Sequence, residues 1–448
     1  IPPMISLRLF PLILTTLVCR EIAGNTPNTM LMAAMLATAG ITLGMGLLFK
    51  ASALTLLMTT PADEPNFGVR DERLQRIRSG LEAAWVMLLP AALLLTGWGA
   101  WLNSLEQSHL PQFIAMLGWF LPSLCLILLI ELTAAQFDEL TTPPSLQSPN
   151  DWQTHFRIRL RLGEIPGLVT CLAPVLAIAL FSDIGHWTLG EEHSGIVLAL
   201  LTVLSLGLVL SSVPLWLGKW LGTSPATCPE LLERFMQYRS GLRMPQLQLL
   251  TIGGDGRWNG AAIVGWLPRW RQLWLGEDLI ADLDDEQLDM VMMHEFAHVT
   301  RRHFWWRSLP IVGAGLAMVL TFALGHAWFS TVAVDAGPAS SSIQAGALPG
   351  GILAPLPLIK LLGCTTAVLA LLLGLSTAAR VCELDADRQA CHLAVLHCSW
   401  AQGEPARAAA RLSQALVAIL ADSAATQRAT WLHPSLTKRL ENLARLSA

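Results

Sequence analysis

Charge is what this chain has least of. Only 14% of its 448 residues are Asp, Glu, Lys or Arg, against about 25% in soluble domains, while 53% are hydrophobic. That shortage excludes an ordinary soluble globular protein, and it traces to apolar runs of membrane-spanning length. A net charge of −4 gives no basic footprint for nucleic acid, so no nucleic-acid partner is expected. The 8 cysteines lack paired spacing, which argues against a disulfide framework and suits a reducing compartment. No internal repeat is present. Gly253-Gly254-Asp255-Gly256 has no following Lys-Ser/Thr and reads as a turn, not a phosphate loop.

What is there in abundance is hydrophobic sequence. Apolar runs lie near 4–19, 30–58, 83–102, 111–135, 165–182, 195–217, 308–330 and 355–379. The first carries Arg8 and is short; no convincing A-x-A-like cleavage site follows it, so it is read as a span and not as a secretory signal. Between the runs, basic residues alternate in side. Loops 60–82 and 136–164 and segments 218–307 and 380–448 are basic, whereas the loops near 20–29, 103–110, 183–194 and 331–354 hold Arg20 alone. The positive-inside rule then places the four basic regions in the cytoplasm, and the expected location is the plasma (inner) membrane. Trp187, Trp220, Trp305, Trp306 and Trp328 fall near span ends, where amphipathic rings settle. Lys50 and Lys360 lie inside runs and read as snorkelling side chains, and Glu131 as an interfacial residue at a span end.

The expected fold is mostly α: a polytopic membrane protein of about eight transmembrane helices with a small α+β catalytic region. Its parts are an N-terminal region of about six spans (1–217), a polar cytoplasmic segment (218–307), a two-helix hairpin (308–379) and a second polar segment (380–448). Within 218–307, Gln246–Ile252, Asn259–Trp266 and Arg271–Leu275 have strand character. Asp284 is a plausible N-cap with Gln287 at the capping-box position, and the helix it starts is expected to run through His294 and His298 toward Trp306.

That helix carries His294-Glu295-Phe296-Ala297-His298. At 3.6 residues per turn, the imidazoles at i and i+4 share a face with room for a metal between them, and Glu295 can reach a water on that metal. This is the H-E-x-x-H arrangement of zinc peptidases. A catalytic zinc takes three protein ligands plus water, so one is missing. The segment Arg380 to Asp387 supplies a candidate. Glu383 and Asp387 are again i and i+4; Glu383 is the natural ligand, and Asp387 would accept the second-nitrogen proton of a zinc histidine and fix its tautomer. His303 is expected to point elsewhere, as a surface or interface histidine. Cys391, His392, His397 and Cys398 do not converge on one helix face, and no second metal site is expected there.

Three features together resemble the M48 family of integral-membrane zinc metallopeptidases, which includes the HtpX-like and Ste24-like enzymes. They are H-E-x-x-H at His294–His298, R-x-x-E-x-x-A-D at Arg380, Glu383, Ala386 and Asp387, and H-P-S-x-x-x-R at His433, Pro434, Ser435 and Arg439. Asn259-Gly260-Ala261 through Gly265 is similar to the family's N-A-x-x-x-G strand, with Gly260 where Ala is common. Ala379 likewise stands where Ser is frequent. The run His298 to Trp305 is also similar to the M56 antibiotic-sensor peptidases.

The resemblance implies a gluzincin core holding one Zn2+ per chain on His294, His298 and Glu383. Glu295 would be the general base and His433 the donor to the transition-state oxyanion. Asp387, Arg380 and Arg439 would support the site, and the strand with Asn259 and Ala261 would hold an extended substrate. The expected activity is zinc endopeptidase action on membrane, misfolded or cytoplasm-facing proteins, with protein or peptide substrates and membrane lipids as partners. Two alternatives stand beside it: an M56-like sensor-transducer and a catalytically inactive membrane scaffold. Short outer loops argue against the first, and the full set of ligands, base and supporting acid argues against the second.

Overall fold

In the computed structural model the described residues are 9–23, 31–59, 67–107, 110–141, 151–162, 164–189, 194–253, 260–335, 355–420 and 433–447. Helices dominate. The N-terminal part runs α1 (Leu9–Ile22), α2 (Leu31–Thr59), α3 (Phe67–Pro90), α4 (Trp98–Gln107), α5 (Gln112–Thr141), α6 (Asp151–Leu162), α7 (Glu164–Leu189) and α8 (Ser194–Leu221). Next come β1 (Thr223–Pro225), α9 (Pro229–Gly241), β2 (Gln248–Ile252), β3 (Ala261–Val264), β4 (Gln272–Gly276), α10 (Glu277–Asp282) and α11 (Asp285–Thr300). The chain finishes with α12 (His303–Asp335), α13 (Pro355–His397), α14 (Pro405–Leu420) and α15 (Leu436–Ser447). The mostly α expectation with one small sheet is borne out.

Among the described residues, 4 helices are long and apolar enough to cross a membrane: Leu31–Thr59, Arg73–Leu95, Gln112–Thr141 and Ile165–Gly185. The expected run 4–19 meets only the 14-residue α1, and residues 1–8 lie outside the described set. The expected runs 195–217, 308–330 and 355–379 fall within α8, α12 and α13, many of whose side chains lie outside the described set. One boundary needs correction. The run 83–102 is not a single span: after Pro90 the helix loosens into a π turn at Ala91–Leu95, then breaks at Thr96–Gly97, where Gly97 has φ 82°. The apolar helix therefore lies earlier, ending at Leu95, and α4 begins afresh. Thr38 of α2 bonds the Ala92 carbonyl at 3.2 Å, so a neighbouring helix serves the loosened turn.

This bundle packs around large buried rings: Phe49, Trp85, Trp119, Phe120 and Phe137 are each at most 2% exposed. Outward faces are apolar instead, as with Leu36, Leu43 and Leu47 of α2, which is the inversion a lipid solvent permits. Glu131 is fully buried within the bundle. Its carboxylate accepts from Arg78 at 2.7 Å and lies 3.7 Å from Arg159, which itself forks onto Asp138. Three helices, α3, α5 and α6, are joined by that network; burying a charge is tolerable only when paired in this way.

The sheet has the order β1-β2-β4-β3, with β2 and β4 parallel and the other pairs antiparallel. β3 is thus an edge strand. α11 begins as expected: Asp284 accepts from the Gln287 amide at 2.9 Å and Gln287 bonds back at 3.1 Å, a complete capping box. It does not reach Trp306. It ends at Thr300, because Arg302 takes a left-handed conformation (φ 55°) and α12 starts at His303. One core joins α9, the sheet, α11, α13, α14 and α15, including Phe235, Leu273, Leu275, Met293, Phe296, Leu412 and Leu443. On α13, Ala386, Ala390 and Ala394 form a fully buried stripe of small residues, which lets that helix lie close to α11.

Candidate metal centre

Two helices that are distant in sequence meet here. α11 presents His294 and His298, whose Nε2 atoms are 3.2 Å apart. α13 presents Glu383, on the same face as its alanine stripe and 2% exposed. Its Oε2 lies 3.7 Å from His294 Nε2 and its Oε1 3.5 Å from His298 Nε2. One ligand atom from each residue falls within 4.8 Å of the other two. Tetrahedral zinc with bonds of about 2.0–2.2 Å sets its ligand atoms about 3.3–3.6 Å apart, so the donor set and its spacing fit a small divalent cation.

Asp387, one turn beyond Glu383, is fully buried, with Oδ1 3.0 Å from His294 Nδ1. Arg439 of α15 grips the same carboxylate twice, Nε to Oδ2 at 2.9 Å and the terminal nitrogen to Oδ1 at 2.5 Å. His433, just before α15, places Nδ1 3.2 Å from Glu383 Oε2. Glu295 sits between α11 and the sheet, its Oε2 accepting from the Ile263 amide of β3 at 3.0 Å. Ala261 opens β3 and pairs with Leu275; Asn259 lies outside the described residues. Arg380, one turn before Glu383, is exposed on α13.

Burial and partners set the charges. For His298, burial lowers the pKa well below the ordinary value, keeping the neutral imidazole that ligates metals. Burial would lower His294 too, but Asp387 and Glu383 outweigh it and push it up to about 9. Glu383 is opposed by burial yet held well below the usual carboxylate range by His294, His433 and His298. Burial pushes the Glu295 carboxyl up, toward the basicity that a proton acceptor needs.

Two residues here were not expected. His303 is buried, not at the surface: it is 3% exposed, with Nδ1 2.8 Å from His298 Nδ1 and Nε2 2.9 Å from Asp385. The break at Arg302 turns it back, and no glycine marks that break in the sequence. Arg307 of α12 donates to Glu383 Oε1 at 2.7 Å; a cation three residues before a helical Pro carries no sequence signal of such a role. Cys391 and Cys398 are both buried, and Cys398 neighbours Tyr238.

A helical, apolar chain that gathers two imidazoles of an H-E-x-x-H helix and a carboxylate of a second helix has the makings of a membrane metallopeptidase. Residues 230–447 match the model described as Peptidase family M48. The matched stretch contains every residue of the cluster. Among solved structures the chain is similar to Ste24p of S. mikatae, at 14% identity and a TM-score of 0.45, covering 92% of this chain and 98% of that one. No curated protein matches.

Proposed function

We propose that this protein is a membrane-integral zinc endopeptidase, holding one zinc per chain on His294, His298 and Glu383. The observation that carries the reading is the convergence of those three ligand atoms within 4.8 Å, brought together from helices on either side of α12. Bound zinc supplies a Lewis acid for the scissile carbonyl and lowers the pKa of its water toward about 7. Glu295 accepts the proton of the attacking water and delivers it to the leaving amine. Its raised proton affinity suits both halves of that transfer. His433 donates a hydrogen bond to the developing oxyanion, a contribution of about 3 kcal/mol for one such donor. Asp387 holds His294 in its ligating tautomer, and Arg439 holds Asp387; Arg380, one turn before Glu383, keeps the supporting role that the resemblance implies.

The open side of β3 takes an extended substrate backbone through main-chain bonds, which favours breadth over side-chain selectivity. Ala261, which opens that strand, and Asn259, two residues earlier in the sequence, are the proposed substrate contacts. Membrane, misfolded or cytoplasm-facing proteins are substrates of this kind. The segments 218–307 and 380–448 form the catalytic part around the hairpin 308–379; their basic residues support a site on the cytoplasmic face of its membrane, which we take to be the plasma membrane.

The test is metal analysis of purified protein beside its Glu295→Ala variant, with casein digestion and mass-spectrometric sequencing of the products. Zinc near one per chain in both, with cleavage only in the unaltered protein, is the expected result. Full cleavage by Glu295→Ala overturns the base; wild-type protein that takes up no zinc overturns the reading.

A further inference from the structure

His298 is held from behind by a chain of side chains that no metal-ligand motif requires. α11 stops at Thr300, with Arg301 N bonded to the Ala297 carbonyl at 2.9 Å and Arg302 N to the Val299 carbonyl at 3.1 Å. Arg302, at φ 55°, reverses the chain so that His303 tucks beneath the last turn of α11. Its Nδ1 is then 2.8 Å from His298 Nδ1, and its Nε2 is 2.9 Å from Asp385 Oδ2. Asp385 is fixed in turn by Arg301, at 2.8 Å to Oδ2 and 3.3 Å to Oδ1.

The proton positions follow from one constraint. His298 faces His294 and Glu383 with Nε2, so a ligating His298 keeps that nitrogen's lone pair free and carries its proton on Nδ1. Nδ1–H must donate, and the atom in reach is His303 Nδ1. His303 therefore accepts there and holds its own proton on Nε2, where the Asp385 carboxylate accepts it. Each ring is neutral and each nitrogen has one role; no other assignment satisfies all three groups at once.

We propose that His303 and Asp385 are positioning residues for metal binding, forming an Asp385–His303–His298 relay that fixes His298 in the Nε2-ligating tautomer and raises the basicity of that nitrogen. This rests on the zinc reading above and goes beyond it, because neither residue touches the three ligand atoms. The site is then doubly braced from α13. Asp387 backs His294 directly, at 3.0 Å, while Asp385, on another side of the same helix, backs His298 through an intervening imidazole. Without the turn at Arg302 the second brace could not form, since a continuing helix would carry residue 303 away from His298.

The experiment uses full-length protein in detergent, titrating zinc against a chromophoric chelator and recording the visible spectrum of the cobalt(II)-loaded form. His303→Ala is expected to lose about 10–100-fold in zinc affinity and to shift the cobalt spectrum. His303→Gln keeps one acceptor and one donor on its amide and is expected to recover most of that loss. Asp385→Ala, at a partly exposed position where folding is not at stake, weakens binding as well. Because the two act in series, the His303→Ala/Asp385→Ala double variant binds no more weakly than His303→Ala alone. Zinc affinity and cobalt spectrum unchanged in both His303→Ala and Asp385→Ala would overturn the relay, as would fully additive losses. Failure of the underlying reading looks different: wild-type protein would bind no zinc, or would bind it equally well after His294→Ala or Glu383→Ala.

Discussion

Replacing Arg439 with Met tests whether the buried acid behind the cluster depends on its cation. Arg439 is 4% exposed and Asp387 fully buried, and the guanidinium makes two bonds to the carboxylate, at 2.9 and 2.5 Å. Met preserves much of the volume but leaves a buried carboxylate without its guanidinium, with only His294 Nδ1 at 3.0 Å beside it, a lesion of about 3–5 kcal/mol. The double variant Asp387→Leu/Arg439→Met removes both charges and leaves only His294 Nδ1 without its carboxylate, which costs about 1–3 kcal/mol. The single change is thus expected to be worse than the double. Burial raises the Asp387 pKa, but Arg439 and His294 hold it below the usual range. A depressed carboxylate contributes stability above its unfolded pKa and loses it as pH falls through the folded value. Arg439→Met removes that contribution, so its cost is largest near neutral pH and shrinks as pH falls and Asp387 is protonated. The assay is denaturant unfolding of detergent-solubilised protein with metal removed by chelator, so that metal linkage does not enter. A loss under about 1 kcal/mol for the single variant at pH 7, or a double variant worse than the single, refutes the reasoning.

Two further expectations concern the same core. Asp289, 3% exposed, accepts from Tyr238 at 2.8 Å, Trp400 at 3.0 Å and Arg234 at 3.2 Å, tying α9 and the turn after α13 to α11. Asp289→Ala takes the acceptor from the Tyr238 hydroxyl and the Trp400 indole, while Arg234 keeps Asp285 at 2.8 Å, and should cost about 2–4 kcal/mol in the same unfolding assay; an unchanged midpoint would refute it. Burial pushes the thiols of Cys391 and Cys398 up to about 12 each. At pH 8 their thiolate fraction is then roughly 10⁻⁴, so in folded protein the half-buried Cys228 should alkylate with iodoacetamide well before either, as peptide mapping would show.

Much of the site was legible because it is local. The 3.6-residue period alone places His294 beside His298 and Glu383 beside Asp387, and the Asp284/Gln287 capping box announces where α11 starts. The three β-like stretches likewise became β2, β3 and β4. What failed was extrapolation of the same period past its range. His303 was assigned away from His298 on the assumption that the helix continues, whereas Arg302 enters the left-handed region without the glycine that usually signals such a stop. The broken span at Gly97 failed for the converse reason: Pro90 and Gly97 were visible, but hydropathy averages over both. The partners of Glu131 were not legible because Arg78 and Arg159 come from two other helices, and no periodicity on α5 can announce them.

The step from two local motifs to one cluster needed tertiary information, yet part of it was written on α13. Glu383 and Asp387 could have faced solvent as an ordinary acidic pair. They share their side of the helix with Ala386, Ala390 and Ala394, all fully buried, and a stripe of small residues is where another helix approaches closely. A carboxylate on such a stripe is carried into the core with it and must find partners there. His294, His433 and Arg439 neighbour these two acids across the α11–α13–α15 junction. The position of the acids beside the alanines, more than the acids themselves, is what makes α13 the plausible source of a third ligand.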